Sequence, residues 1–228
     1  MEFIYVVKRY DLFDLAFPHG FVVSTPTQNS QEDADLPTRG GEDEAPVHDV
    51  GEYMKRARIC GFFVERRWAE QDSSLKQIIP YTIVTDGESV LSLRRLDKGG
   101  ERRLHGKLSI GVGGHINPVD KESAPRHGDD LIAAGAWREI EEELYIPQDA
   151  KMKVVGLVND ESNPVGSVHL GVVHVAKVAD VGAVKVKERD QLEGRFVSFA
   201  EIKKRAGDPE ALMETWSSLV AERLDEII

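Results

Sequence analysis

The 228-residue chain has a single cysteine, Cys60. One thiol excludes a disulfide framework and a cysteine-built zinc site within the chain, and it suits a reducing compartment. Long apolar runs are absent, and nothing approaches the roughly 18 residues of a membrane span. The opening Phe3-Ile4-Tyr5-Val6-Val7 is too short for a signal-peptide core and has no small-residue cleavage site after it. Positive charge is in deficit: 29 Lys and Arg stand against 40 Asp and Glu, a net charge of −11. That argues against a general affinity for nucleic acid or anionic membrane. Small phosphorylated ligands in a local basic pocket, and acidic sites for metal ions, stay open. No internal repeat is found. The expectation is a cytoplasmic protein whose length suits one ample α/β domain, or one domain with an elaboration.

The text along the chain alternates in character. Residues 2–8 read as a strand, and a mixed aromatic segment follows to about Val23. Residues 27–51 hold seven acids, one Arg, two prolines, three glycines and no aromatic. Such a stretch buries too little apolar surface to offset its ordering entropy, and reads as a surface loop or linker. Strands are expected at Ile59–Val64, Ile78–Val84, Val90–Leu96 and Leu108–Ile116, the last ending in Gly113-Gly114-His115. A polar loop with two prolines runs to Gly128. A helix is expected over about Asp129–Leu144, capped by Asp129. Further strands are read at Val154–Val158, Val168–Val178 and Arg195–Ser198, and a short helix at Ala200–Arg205. A last helix opens at Asp208-Pro209 with the stripe Leu212, Trp216, Leu219, Val220 and Ile227. This order of elements predicts a mixed sheet flanked by helices.

The chemical signal is Arg138-Glu139-Ile140-Glu141-Glu142-Glu143. On a helix Glu142 and Glu143 follow Glu139 by three and four residues, so the three carboxylates share one face. The opposite stripe, Ala133, Trp137, Ile140 and Leu144, is expected to be buried. Like charges within one turn repel by a few tenths of a kcal/mol per pair, and a divalent cation reverses that sign. Oxygen-only ligands favour Mg²⁺ or Mn²⁺ over zinc. A glycine pair shortly before the helix lets backbone approach a ligand closely.

With these residues the sequence resembles the Nudix hydrolases. Their box reads Gly, five residues, Glu, seven residues, Arg-Glu-apolar-x-Glu-Glu-x-Gly-apolar. Arg138, Glu139, Ile140, Glu142, Glu143 and Ile146 match in register, and Gly113-Gly114-His115 looks like the opening glycine pair. Three departures stand out. Asp130 is taken as the acid before the helix, Tyr145 replaces the closing glycine, and fifteen residues separate Gly114 from Asp130 where the box has five. The box covers about 33 residues, and the wider order of elements fits about 55–228. Residues 1–54 would be an N-terminal strand plus an acidic extension, and 55–228 the Nudix domain.

The resemblance implies an α/β (α+β) fold, a mixed sheet sandwiched between helices, and hydrolysis of a phosphoanhydride in a nucleoside diphosphate linked to another group. It implies Mg²⁺ (or Mn²⁺) bound by Glu139, Glu142, Glu143 and the carbonyl of Gly113. Glu142 and Glu143 would serve catalysis, and Arg138 would position the glutamates. Candidates for the general base are Glu142, Glu161, Glu188, Glu193 and His169. Arg94, Arg103 and Lys107, from a basic stretch with Arg95, Lys98 and Arg102, would hold the diphosphate, with His115 facing the site. Tyr81, Phe62 and Phe63 are strand aromatics able to stack on a base or to sit in the core. The partner is a small nucleotide; oligomeric state is open, although the family often dimerises. The alternative is a nucleotide-binding regulatory module of the same fold without catalysis. Isomerisation of an isoprenoid diphosphate needs a His-rich site and a catalytic cysteine, for which Cys60 alone is a poor match.

Overall fold

The computed structural model describes residues 1–13, 18–24, 49–96, 106–187 and 190–228. The acidic 27–51 stretch lies outside the described residues except for its last three, and so do Lys98, Arg102, Arg103 and Glu188.

Twelve strands are present among the described residues: β1 (Phe3–Lys8), β2 (Gly20–Val23), β3 (Phe62–Glu65), β4 (Leu75–Thr85), β5 (Ser89–Arg95), β6 (Leu108–Ser109), β7 (Val112–Gly113), β8 (Leu144–Tyr145), β9 (Lys151–Asn159), β10 (His169–Lys177), β11 (Lys185–Val186) and β12 (Leu192–Ser198). The helices are α1 (Arg9–Leu12), α2 (Val50–Cys60), α3 (Arg66–Ala69), α4 (Asp120–Ser123), α5 (Leu131–Glu143), α6 (Pro164–Ser167), α7 (Phe199–Ala206), α8 (Thr215–Ala221) and α9 (Leu224–Ile227). Ten strands make one sheet, whose main path is β12-β5-β4-β10-β9-β2, with β1, β3, β6 and β7 attached alongside. β4 and β10 run parallel and the other pairs antiparallel, so the sheet is mixed.

The central strands are buried on both faces, and their sequences are correspondingly almost continuously apolar. On one face Ile78, Leu170 and Val172 pack with Met54 of α2 and Ile132 of α5. On the other, Tyr81, Ile83, Val173 and Val175 meet Ile202, Val220 and Leu224 from the C-terminal helices. The C-terminal end of α5 is anchored by Ile140, which shares a third cluster with Leu144, Val84 and Leu91. β1 is part of this architecture: it pairs with β3 and β4, and α2 runs across residues 54 and 55.

Several expected elements differ. Ile59 and Cys60 close α2 instead of opening a strand. The Asp49 side chain caps that helix by accepting from Gly51 N at 2.8 Å, and Val50, Tyr53, Met54 and Ala57 supply its buried face. The Leu108–Ile116 strand is split into β6 and β7, because the Ser109 hydroxyl folds the chain back onto Gly111. The polar 115–128 loop contains α4 and a 3₁₀ turn, Ala124–His127. Asp129 does not cap α5: it sits at φ 59°, and the cap is Asp130, accepting from Ile132 N and Ala133 N. Trp137 and Ala133 are half-buried, and Trp137 stacks on His127 with centroids 6.2 Å apart; the buried stripe is Ile132, Gly135, Ala136 and Ile140. The C-terminal helix is broken into a 3₁₀ turn, α8 and α9, since Leu212 takes φ 49° and its carbonyl accepts from Leu108 N.

Candidate active site

Two backbone segments and one helix build the site. The chain leaves β7 through Gly113 and Gly114. A Cβ on Gly113 would lie 2.8 Å from the Pro80 carbonyl oxygen, and one on Gly114 would lie 2.2 Å from Oε2 of Glu139. Glycine at 114 therefore lets the Glu139 carboxylate rest directly on the turn. Glu139 is largely enclosed (15% of its side chain exposed), and Glu142, one turn on, is open to solvent (57%). Burial raises the Glu139 pKa, outweighing the Arg138 charge that works to lower it.

Arg138 is the hub. Its Nε donates to Oδ1 of Asp120 at 2.7 Å and its Nη2 to the His115 carbonyl at 2.7 Å. Its Nη1 donates to Glu139 Oε1 at 2.8 Å and to Glu142 Oε2 at 3.1 Å. Burial pulls its pKa down, but Asp120 and Glu139 more than reverse this and hold it above the usual range. One guanidinium thus ties the glycine turn, the first residue of α4 and two glutamates into a single frame.

The acid paired with Arg138 is Asp120, which is 1% exposed and also accepts from Asn117 N. It stands six positions after Gly114, the spacing of Gly, five residues and acid. The ten extra residues of the box therefore follow this acid instead of preceding it. The sequence reading takes Asp130 for this acid and misses Asp120, although the spacing from Gly114 points to it. Asp130 serves elsewhere: besides capping α5 it pairs with Arg58 at 2.7 Å. Burial works to raise the Asp130 pKa, yet the Arg58 bond and the two backbone donors hold it below the carboxylate norm.

Gly113, His115, Arg138 and Glu139 are brought together, and Glu142 and Glu143 follow on the same helix. Arg94 instead lines a recess of about 260 Å³ with Glu193, Arg195 and Arg205, and Lys107 precedes β6. Glu161 is clamped by Arg9, by Lys76 at 2.7 Å and by Asn159 at 3.0 Å. Burial raises its pKa, but these partners outweigh it and keep the group ionised. Tyr81 is a core residue, its hydroxyl bonded to Ser217 at 2.7 Å. Among the described residues no group of three His, Cys, Asp or Glu side chains is gathered closely enough to enclose a metal ion.

No protein-family model matches the chain. Protein YmaB of Bacillus subtilis (strain 168) is 35% identical over 178 residues, spanning 77% of this chain and 84% of that protein. The crystal structure of Tm1382, a candidate Nudix hydrolase, superposes with a TM-score of 0.69 and 27% identity over the whole of both chains. A NUDIX hydrolase from Alicyclobacillus acidocaldarius aligns more loosely, with a TM-score of 0.47 and 14% identity over 65% of this chain and 90% of that one. The mixed sheet, the Arg138-Glu139-Ile140-Glu141-Glu142-Glu143 helix set on a Gly-Gly turn, and the full-length likeness to Tm1382 together place the chain in the Nudix hydrolase family.

Proposed function

We propose that the protein hydrolyses a phosphoanhydride bond in a nucleoside diphosphate linked to another moiety, with Mg²⁺ or Mn²⁺ as cofactor. The observation that carries this reading is the Glu139 carboxylate lodged against Gly114, with Glu142 and Glu143 on the next turn of α5.

The donor set fits a hard divalent cation: three carboxylates and the carbonyl of Gly113, all oxygen. A cation held by these groups would supply the positive charge that neutralises the diphosphate and polarises the attacked phosphorus. The Arg138 guanidinium lies between Glu139 and Glu142, so assembly of the ligand set requires Glu142 to swing off Arg138. Glu142 is exposed, and that rotation costs little. Arg138 then keeps Glu139 aimed at the turn, with Asp120 holding Arg138 from behind.

Of the acids considered for the general base, Glu161 is held by two cations and Glu193 lies in the Arg94 recess. Glu142 projects into solvent from the carboxylate face and is the residue we assign to accept the proton of the attacking water. We assign His115 to the substrate side. The N-terminal 1–54 segment and the inserted loop are candidates for shaping substrate choice.

The test is a panel of nucleoside-diphosphate compounds incubated with Mg²⁺, Mn²⁺ or EDTA, with products resolved by chromatography. Metal-dependent release of a nucleoside monophosphate is the expected result. Tight binding of one compound without cleavage of any would move the assignment to a regulatory nucleotide-binding module.

A further inference from the structure

An enclosed polar cluster beside the Gly-Gly turn has no part in the hydrolytic scheme above beyond the placing of His115. Gln77 on β4 is fully buried, and its amide nitrogen has no hydrogen-bond partner. Its register partner across the parallel pairing is His169 on β10, so both side chains stand on one sheet face. His115 bonds through Nε2 to the Gln77 amide oxygen at 2.8 Å, and its ring centroid lies 5.8 Å from that of His169. The His115 carbonyl is the one gripped by Arg138, which ties the backbone carrying this ring to the carboxylate helix.

The cations around this cluster are already engaged. Arg66 pairs with Glu2 and Glu70. Lys76 Nζ bonds Asn159 at 2.8 Å, the Gly166 carbonyl at 3.0 Å and the His169 carbonyl at 3.2 Å, besides Glu161. That network holds the 159–169 loop and the backbone of His169 in place. What the cluster offers a ligand is therefore uncharged hydrogen bonding. With the amide oxygen on His115, Gln77 presents an N–H donor and His115 Nδ1 an acceptor. With the amide turned over, Gln77 presents an acceptor and Nδ1 a donor. Either way the pair shows one donor and one acceptor, and a hydroxyl group, which is both, satisfies them together.

We propose that Gln77 and His115, walled by the His169 ring whose Nδ1 is bonded to the Val165 carbonyl at 2.6 Å, form a subsite that reads a sugar hydroxyl of the substrate, on the nucleoside or on the group linked to it. The proposal rests on the hydrolase reading above and deepens it. A site that leaves a buried amide unpaired when the hydroxyl is missing discriminates strongly against the analogue that lacks it.

The experiment compares ADP-ribose, ATP and 2′,3′-dideoxy-ATP as substrates of wild type, Gln77→Leu and His115→Phe with Mg²⁺. His115 is only half-buried, so its variant keeps the test usable if Gln77→Leu fails to fold. A linked-sugar hydroxyl predicts that the ADP-ribose to ATP ratio of kcat/KM falls about 10- to 100-fold in the variants. A nucleoside hydroxyl predicts the same fall in the ATP to dideoxy-ATP ratio. Variants that change neither ratio overturn the subsite, whatever happens to overall activity. Failure of wild type to cleave any compound of the wider nucleoside-diphosphate panel would instead sink the hydrolase reading. Calorimetric binding of the same compounds then decides the subsite: weaker binding by the variants of only the hydroxyl-bearing compounds supports it, and equal affinities or no binding overturn it.

Discussion

Arg138 concentrates the chemistry of the site, because five donors in a fixed fork meet a buried carboxylate, a carbonyl and two glutamates. Asp120→Asn leaves that guanidinium without its buried counter-charge. It should cost about 3 kcal/mol of stability in urea unfolding and about 10- to 100-fold in kcat/KM, as losing an outer partner of a metal ligand does. Glu139→Gln should cost more activity than this while unfolding at nearly the wild-type midpoint, since it removes a proposed ligand from a position where burial already disfavours the charge. Wild-type turnover by Glu139→Gln at saturating Mg²⁺ would refute the metal assignment. His174 is a separate residue-scale case. Burial pushes its pKa down to about 4, against the pull of the Val172 carbonyl and the Asp130 charge, and its Nε2 is enclosed without a partner. The unfolded chain takes up this proton first, near pH 6.5, so folded stability drops as pH falls through the window from 6.5 to 4. Between pH 7 and pH 5 the loss from this one group is about 2 kcal/mol. Urea unfolding at the two pH values should show a smaller difference for His174→Gln than for wild type.

At the scale of elements, α5 was legible as a helix and as a carboxylate face, because 3.6-residue periodicity carries both. Which apolar residues it buries was legible only in part. Trp137 shares the stripe of Ile140 in a helical projection, yet the inserted 3₁₀ turn brings His127 over the indole and leaves it half-buried. Ile140→Ala should therefore cost about 2–5 kcal/mol, and Trp137→Ala less than the roughly 3–5 kcal/mol of a fully buried Trp; urea titration of both variants measures the order. The exit of α5 was legible too. Tyr145 is a poor residue for a left-handed cap, and the chain leaves extended at Leu144 (φ −126°) into β8. The opening of the C-terminal helical segment at Asp208-Pro209 was legible, but its break at Leu212 was not, because that break follows from backbone bonds to β6, more than a hundred residues away.

Over the whole molecule, the N-terminal strand belongs to the main sheet. Ile4, Val6 and Val7 are fully buried, and Arg9 reaches Glu161 in the network around Lys76. Deleting residues 1–8 should strip β3 and β4 of a partner and expose that apolar face. The expected outcome is loss of the cooperative unfolding transition, read by circular dichroism; a truncated chain that melts like wild type would refute it.

Local periodicity, capping residues and the spacing of charges are properties of neighbouring residues, and from them the sequence alone determined the carboxylate helix, most of the strands and the mixed, helix-flanked sheet. The partner of Arg138, the stacking of His127 on Trp137, the clamp on Glu161 and the meeting of Gln77 with His115 and His169 are contacts between residues tens to hundreds of positions apart. Only the tertiary structure decided those, because side chains on different elements acquire neighbours, burial and shifted protonation when the sheet assembles.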